Sequence, residues 1–140
     1  MSGVCVHVSI ADEHYAVPVE HVLEVAKLGD WTVVPGASRW LLGVINRDGQ
    51  VLPLVDLAQL LGTRSTGRPA CLLVVEDGER RAGLAVDEII NVRPAPARIE
   101  ATESKLLSRA ALVEGVLVGM LEIGLVLDEA ADCDGDGHGH

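Results

Sequence analysis

The sequence has 140 residues, of which 49% are hydrophobic, so it is long enough and apolar enough for one domain with a continuous core. Aromatic residues make up 2% and phenylalanine is absent, so the core must be aliphatic, which favours many short strands of valine, leucine and isoleucine. The net charge of −10 repels phosphate backbones and argues against nucleic-acid binding.

The sequence predicts neither a membrane-spanning helix nor a signal peptide. No apolar run approaches the roughly 18 residues that a membrane-spanning helix needs. The opening residues, Met-Ser-Gly-Val-Cys, lack both the charged region and the apolar stretch of a signal peptide. We therefore expect a soluble, cytoplasmic protein with no direct membrane insertion.

The cysteines are odd in number and far apart, at Cys5, Cys71 and Cys133. A disulfide framework or a structural zinc site would need pairs at short spacing. Cys5 and Cys71 lie inside apolar runs, so we expect both to be small buried residues.

The first forty residues mix two periodicities. Val4 to Ile10 alternates apolar and polar residues, which predicts a half-buried strand, and Tyr15 to Val17 is the predicted returning strand. Apolar residues between Val19 and Ala26 recur at helical spacing over eight residues, which predicts a short helix. Trp31 to Val34 is predicted to be a further strand.

A compact unit follows from Leu42 to Gly62. Asp48-Gly49 separates two apolar runs, which predicts a type I′ hairpin between the strands Gly43–Arg47 and Gln50–Val55. Pro53 cannot donate to a ladder, so we expect its strand to lie at an edge or to carry a bulge there.

The same unit ends in a short predicted helix. Asp56 is a good N-cap, Gln59 stands three residues on as in a capping box, and Gly62 can end the helix in the left-handed conformation.

The second half of the chain repeats the hairpin pattern. Cys71–Glu76 and Arg80–Val86 flank Asp77-Gly78, which predicts a second hairpin, and Ile89–Val92 continues as a strand. We expect residues 101–111 to form a loop with at most one helical turn. Glycines interrupt the apolar residues from Val113 to Leu127, which predicts two or three short strands.

The chain is expected to finish with a helix beginning at Asp128–Ala131 and a flexible acidic tail over residues 132–140. Hairpins at short intervals with only short helices between them predict an all-β architecture that is closed or nearly closed.

No catalytic constellation is evident. Asp56 and Asp87 each end an apolar run, but capping a helix and beginning a turn account for them better than acid/base catalysis. No nucleophile motif and no phosphate-binding glycine loop occurs, so we expect no enzyme activity and no cofactor. His7, His14 and His21 recur every seven residues but fall on different predicted elements, so we expect no shared metal site.

The acidic tail offers weak metal ligands. Its first six residues from Asp132 match the start of an EF-hand loop, but the chain ends before the glutamate at position twelve, so tight calcium binding should fail. A weak zinc or nickel site remains a hypothesis, with a small metal-handling protein as the alternative function. Its candidate ligands are Asp132, Cys133, Asp134, Asp136, His138 and His140.

The Leu42–Gly62 unit resembles the signature of the CheW-like domain family, the coupling or adaptor proteins of bacterial chemotaxis. That signature runs roughly Gly-Val-x-Asn-x-Arg-Gly-x-x-x-Pro-x-x-Asp-Leu. Asp48 departs from it, standing where the family usually has arginine. The matching positions are Gly43, Val44, Asn46, Gly49, Pro53, Asp56 and Leu57.

Three further stretches resemble the family in order along the chain. They are the eleven residues from Tyr15 to Val25, the segment Gly83-Leu-Ala-Val-Asp-Glu-Ile, and the closing apolar runs that end at Asp128. The resemblance implies two intertwined five-stranded SH3-like barrels that share a hydrophobic core, within a single domain over residues 1–131.

The resemblance also implies a function and a site. It implies a non-enzymatic scaffold that couples the cytoplasmic tip of a chemoreceptor to the regulatory domain of a CheA-type histidine kinase in a signalling array. The implied partner-binding residues are Val22, Glu24, Gly43, Asn46 and Asp48.

The acidic residue at position 48 sets an expectation of its own. Like charges across an interface are costly, so we expect poor binding to an ordinary receptor tip, or a partner with a basic surface. Arg47 is not expected to compensate, because neighbouring residues of a strand point to opposite faces.

Overall fold

The computed structural model describes residues 3–63, 69–95 and 106–138, without the side chains of residues 108, 109 and 132–138. Ten strands and two α-helices follow one another in this part of the chain. The strands of the first half are β1 Val4–Ile10, β2 Glu13–Pro18, β3 Val22–Lys27, β4 Leu41–Arg47 and β5 Gln50–Asp56, and helix α1 Leu57–Leu61 follows them. The second half contains β6 Cys71–Asp77, β7 Arg80–Val86, β8 Glu88–Pro94, β9 Leu107–Val113, β10 Val116–Leu121 and helix α2 Ile123–His138.

The strands form two five-stranded sheets that exchange strands. The first sheet has the order β8-β1-β2-β10-β9 and the second has the order β3-β6-β7-β5-β4. The first sheet contains β1 and β2 from the first half of the chain and three strands from the second half. The second sheet contains β6 and β7 from the second half and three strands from the first half. A short parallel ladder joins the two contributions, β2 with β10 in the first sheet and β5 with β7 in the second.

Two-residue turns connect the hairpins of both halves. Asp48 and Gly49 have φ angles of 54° and 82°, which confirms the predicted type I′ turn. Ala11-Asp12 and Glu114-Gly115 also have positive φ at both central positions. The predicted second hairpin is present, but its central residues are Gly78 and Glu79, with positive φ at Gly78, as in a type II′ turn.

The helix predicted over Val19–Ala26 is wrong. A three-residue 3-10 helix, Val19–His21, is followed directly by strand β3, whose residues alternate between partly buried and exposed. The apolar spacing of so short a segment fits the periodicity of a helix and that of a strand. The segment forms a strand because it pairs with β6. Trp31–Val34 does not form the predicted strand. Thr32 forms an isolated antiparallel bridge with Val44 instead.

Two expectations for the second half are also corrected. Of the predicted loop over residues 101–111, residues 101–105 lie outside the described residues, and Leu107–Val113 forms strand β9 instead, because it pairs with β10 along its length. A single strand, β10, follows it, and helix α2 begins at Ile123 rather than at Asp128. Gly119 contributes to this packing, since a Cβ there would lie 2.9 Å from the side chain of Leu107.

Pro53 does not mark an edge strand, because β5 lies between β4 and β7. Pro53 pairs with Val44, whose N–H and C=O both bond to Thr32 on the far side of β4. The nitrogen of Pro53 therefore points away from β4, towards the β7 side. The ladder with β7 begins only at Leu54, so no bond is lost there.

The short helix α1 forms as predicted. The carboxylate of Asp56 accepts a bond from the backbone N–H of Gln59, and Gly62 ends the helix at φ 80°. Leu57 and Ala58 are buried against the core. No helix in the described ranges is long and apolar enough to cross a membrane.

The main core lies between the two sheets and includes residues from both. Its buried members include Val8 and Val17 of the first sheet and Leu73 and Leu84 of the second. Smaller clusters fill the other face of each sheet, around Leu54 in the second sheet and Met120 in the first.

The type I′ turn at Gly49 leads to a stability prediction. Replacing Gly49 with valine leaves open space around the new Cβ but forces it to φ 82°, so we expect a loss of roughly 1–3 kcal/mol through strain. Gly29→Val is the matched control, because Gly29 also has open space and has no positive φ. Chemical denaturation of both variants measures the difference, and equal midpoints would contradict the strain argument.

Candidate functional site

A groove of about 210 Å³ lies where the edge strands of the second sheet approach each other. Strands β3 and β4 stand at opposite edges of this sheet, so the sheet must curl for their side chains to meet. We call this cleft the β3–β4 groove. Its lining residues are Leu23, Glu24, Arg47, Asp48, Gln50, Leu52, Val74 and Arg81.

An ion pair spans the β3–β4 groove. Arg47 donates from Nε to Glu24 Oε1 at 3.2 Å and from Nη2 to Glu24 Oε2. Both side chains remain about one-third exposed, at 34% for Arg47 and 35% for Glu24. An exposed pair of this kind contributes about 0–1 kcal/mol to stability, so it orients the two side chains more than it stabilises the fold.

The second arginine of the groove is also paired. Arg81 donates from Nε to Glu76 Oε2 at 2.7 Å and from Nη1 to Gln50 Oε1 at 2.9 Å. Both arginines of the groove therefore have their charges matched by a carboxylate.

Asp48 is the acidic residue of the groove that lacks such a match. It is exposed, and its carboxylate has no hydrogen bond or ion pair within the described part of the chain. The expectation that Arg47 and Asp48 face opposite sides is wrong, because Asp48 lies in the turn at φ 54° and both residues line the groove. The unpaired charge at the rim is negative, which favours a basic group on whatever binds there.

Three other predicted site residues support the groove from outside its lining. Asn46 accepts a bond at 3.1 Å from the backbone N–H of Gly49 and so closes the turn that carries Asp48. Gly43 is buried where a Cβ would collide with the carbonyl oxygen of Thr32. Val22 is partly buried and packs against the main core. The structure thus brings Glu24 and Asp48 together and gives the other three structural contacts.

Asp56 and Asp87, the two carboxylates considered for catalysis, have structural roles. The Oδ2 atom of Asp87 accepts a bond at 2.7 Å from the N–H of Ala11, in the turn between β1 and β2. Burial raises the pKa of Asp56, the nearby charge of Asp87 adds to this, and bonds from the backbone N–H groups of Gln59 and Ala58 lower it. The cap predicted at Asp56 is confirmed, whereas Asp87 does not begin a turn of its own: it lies between β7 and β8, and its carboxylate bonds the turn between β1 and β2.

The described residues form no metal-binding cluster. Within the described residues, no group of three or more His, Cys, Asp or Glu side chains could hold a metal ion. Cys5 is buried and Cys71 is partly buried, and neither forms a disulfide. The side chains of the tail candidates, Asp132 to His140, lie outside the described part of the structure.

Sequence reasoning missed most of the groove lining. Arg47 and Gln50 flank the predicted turn, but the sequence does not show which side chains they meet. Arg81 carries no local signal, because it reaches Gln50 only when β7 pairs with β5. Leu23, which is 48% exposed, was assigned to a helix that does not form. Recognising Val22–Lys27 as a strand would have placed Glu24 at a sheet edge.

The comparison with known families settles the class of protein. The CheW-like domain family model matches residues 4–131. The chain therefore belongs to the CheW-like domain family.

Individual relatives agree with this assignment. The chain is 34% identical over 82 residues to the chemotaxis protein CheW of Helicobacter pylori, which covers 57% of this chain and 50% of the relative. It is 36% identical over 84 residues to the protein PilI of Pseudomonas aeruginosa, covering 59% and 47% respectively. Protein FrzA of Myxococcus xanthus is 34% identical over 89 residues, covering 62% and 56%. The chain spans about half the length of these relatives.

A solved structure matches over more of its length. The scaffolding protein TtCheW of Thermoanaerobacter tengcongensis superposes with a TM-score of 0.82 at 25% identity, over 90% of this chain and 88% of that one. The predicted fold of two five-stranded SH3-like barrels is thereby confirmed.

Proposed function

We propose that this protein is a non-catalytic adaptor that couples chemoreceptors to a CheA-type histidine kinase in a bacterial chemosensory array, in the cytoplasm. The observation that carries the proposal is the family match over residues 4–131. Relatives named as chemotaxis proteins and a structural neighbour named as a scaffolding protein support it. Nothing in the described part of the chain favours the metal-handling alternative.

The β3–β4 groove supports a protein-binding role. It combines an exposed apolar side chain, Leu23, with the oriented pair of Glu24 and Arg47. Protein interfaces typically surround an apolar contact with a polar rim. In this groove Leu23 is the apolar contact, and Glu24 and Arg47 belong to the rim. Val22, Gly43 and Asn46 would act by holding the backbone of the groove in place rather than by touching a partner.

Asp48 points to the chemistry of the partner. Since Glu24, Arg47, Gln50 and Arg81 are already bonded to one another or to Glu76, the carboxylate of Asp48 is the acceptor left open on the rim. A lysine or arginine on the partner would satisfy it. We infer that the receptor tip, or a variant of it, presents a basic surface at this point.

The proposal predicts measurable binding to the kinase. Titration of the full chain with the regulatory domain of a CheA-type kinase from the same organism should give a dissociation constant tighter than about 100 μM, or about −5.5 kcal/mol. An unrelated SH3-like barrel serves as the negative control. Absence of binding at that concentration would refute the kinase half of the proposal.

The charge at position 48 gives a second prediction. Asp48→Arg should weaken binding to the native receptor tip, and it should strengthen binding to a typical receptor whose adaptor carries arginine at this position. Both effects should shrink as salt rises towards 1 M, because the charges are exposed to solvent.

Asp12→Arg is the matched control for this variant. Asp12 is exposed and lies in another type I′ turn, at φ 67°, so it undergoes the same charge change in the same kind of turn. We expect the Asp12 variant to bind as the wild type does. Equal affinities of the wild type and Asp48→Arg for both receptors would place Asp48 outside the interface.

A further inference from the structure

Two histidines meet inside the first sheet. His7 of β1 and His14 of β2 approach through Nε2 and Nδ1 at 3.1 Å, with ring centroids 5.2 Å apart and planes at 74°. His7 is 5% exposed, whereas His14 is partly buried. A contact this short requires one ring to donate an N–H and the other to accept it with a lone pair.

The strands beside the pair carry several charged groups. Strand β8 places Asn91 opposite His7 and Arg93 opposite Cys5. Arg93 already donates from Nη2 to Glu114 Oε2 at 3.1 Å, which commits the nearby carboxylate. Strand β10 contributes Val118 and Met120, and β9 places Arg109 opposite Met120 in the register. The register also places the exposed Glu88 of β8 opposite Ser9, which in turn pairs with His14, whereas the buried His7 pairs with Asn91 and Ala16.

The number of protons on the pair decides whether the contact survives. With no extra proton, or with one, a donor and an acceptor remain and the hydrogen bond is kept. With two extra protons both rings are donors, the acceptor is lost, and two positive charges stand side by side in a partly buried position.

We propose that the His7–His14 pair is a pH-sensitive latch that holds β1 and β2 together in the first sheet and is released when both rings carry a charge. The proposal rests on the fold and is independent of the proposed function.

The second sheet has no counterpart of this latch. When the β1–β2 and β6–β7 hairpins are aligned at their turns, Val74 takes the position of His7 and Arg81 that of His14. Neither residue changes its charge between pH 5 and pH 8. The histidine pair therefore belongs to the first sheet alone of these two hairpins, away from the β3–β4 groove.

The sign of the effect follows from the environment of His7. Burial, and then the charges of His14 and Arg93, lower the pKa of His7 below its ordinary value of 6.5. As pH falls below 6.5, the unfolded chain takes up a proton that the folded chain resists, so stability is present above 6.5 and is lost below it. The equilibrium constant for unfolding should rise by up to about tenfold per pH unit in that window.

The test compares the full chain with two variants between pH 8 and pH 5. The double variant His7→Gln, His14→Gln removes both titrating rings. The control is His21→Gln, because the Nδ1 atom of His21 instead contacts the backbone carbonyl oxygen of Glu76 at 2.9 Å, outside the latch. Denaturant midpoints at each pH give the unfolding constant.

We expect the unfolding constant of the wild type to rise about fivefold more than that of the double variant between pH 6.5 and pH 5.5, and we expect His21→Gln to follow the wild type. Nitrogen spectra of the imidazole rings provide a second readout in the wild type, where one ring of the pair should stay neutral at pH 6. Parallel pH profiles for the wild type and the double variant would overturn the proposal. If the double variant does not fold, the ring spectra decide, and titration of both rings at their ordinary value would overturn it.

Discussion

Neither sheet of this protein can be completed by one half of the chain. The β1–β2 hairpin of the first half is completed by strands of the second half, and the β6–β7 hairpin of the second half is completed by strands of the first. Both edge strands of each sheet therefore come from the half opposite to its hairpin. The short parallel ladders tie the halves together again within each sheet. The core between the sheets is consequently a single apolar body, and burying it stabilises both sheets at once.

This exchange of strands also forms the β3–β4 groove of the second sheet and the corresponding region of the first sheet. The β3–β4 groove lies between edge strands of the first half, but Val74 and Arg81 of its lining come from the second. In the corresponding region of the first sheet, the pair of His7 and His14 replaces Val74 and Arg81. One architecture used twice therefore carries an ion-paired, partly apolar groove in one sheet and a partly buried pair of titratable rings in the other.

The sequence was informative where the signal was local. Asp48-Gly49 and the cap at Asp56 were predicted correctly, because turn and cap chemistry involve only a few neighbouring residues. Strands β3 and β9 were missed, because both are edge strands whose conformation depends on a partner far along the chain. For the site, family resemblance supplied Glu24 and Asp48, whereas the bond from Arg47 to Glu24 depends on the curl of a whole sheet.

The dependence of both sheets on one shared core can be measured most directly by native-state hydrogen exchange at neutral pH with increasing denaturant. The slowest amides of the first sheet, near Val8 and Val17, should report the same opening free energy as those of the second sheet, near Leu73 and Leu84. Coincidence of the two sets is the expected result. If one sheet opened completely while the other kept its protection, the sheets would be separate cooperative units, and the shared core would not be what holds the fold together.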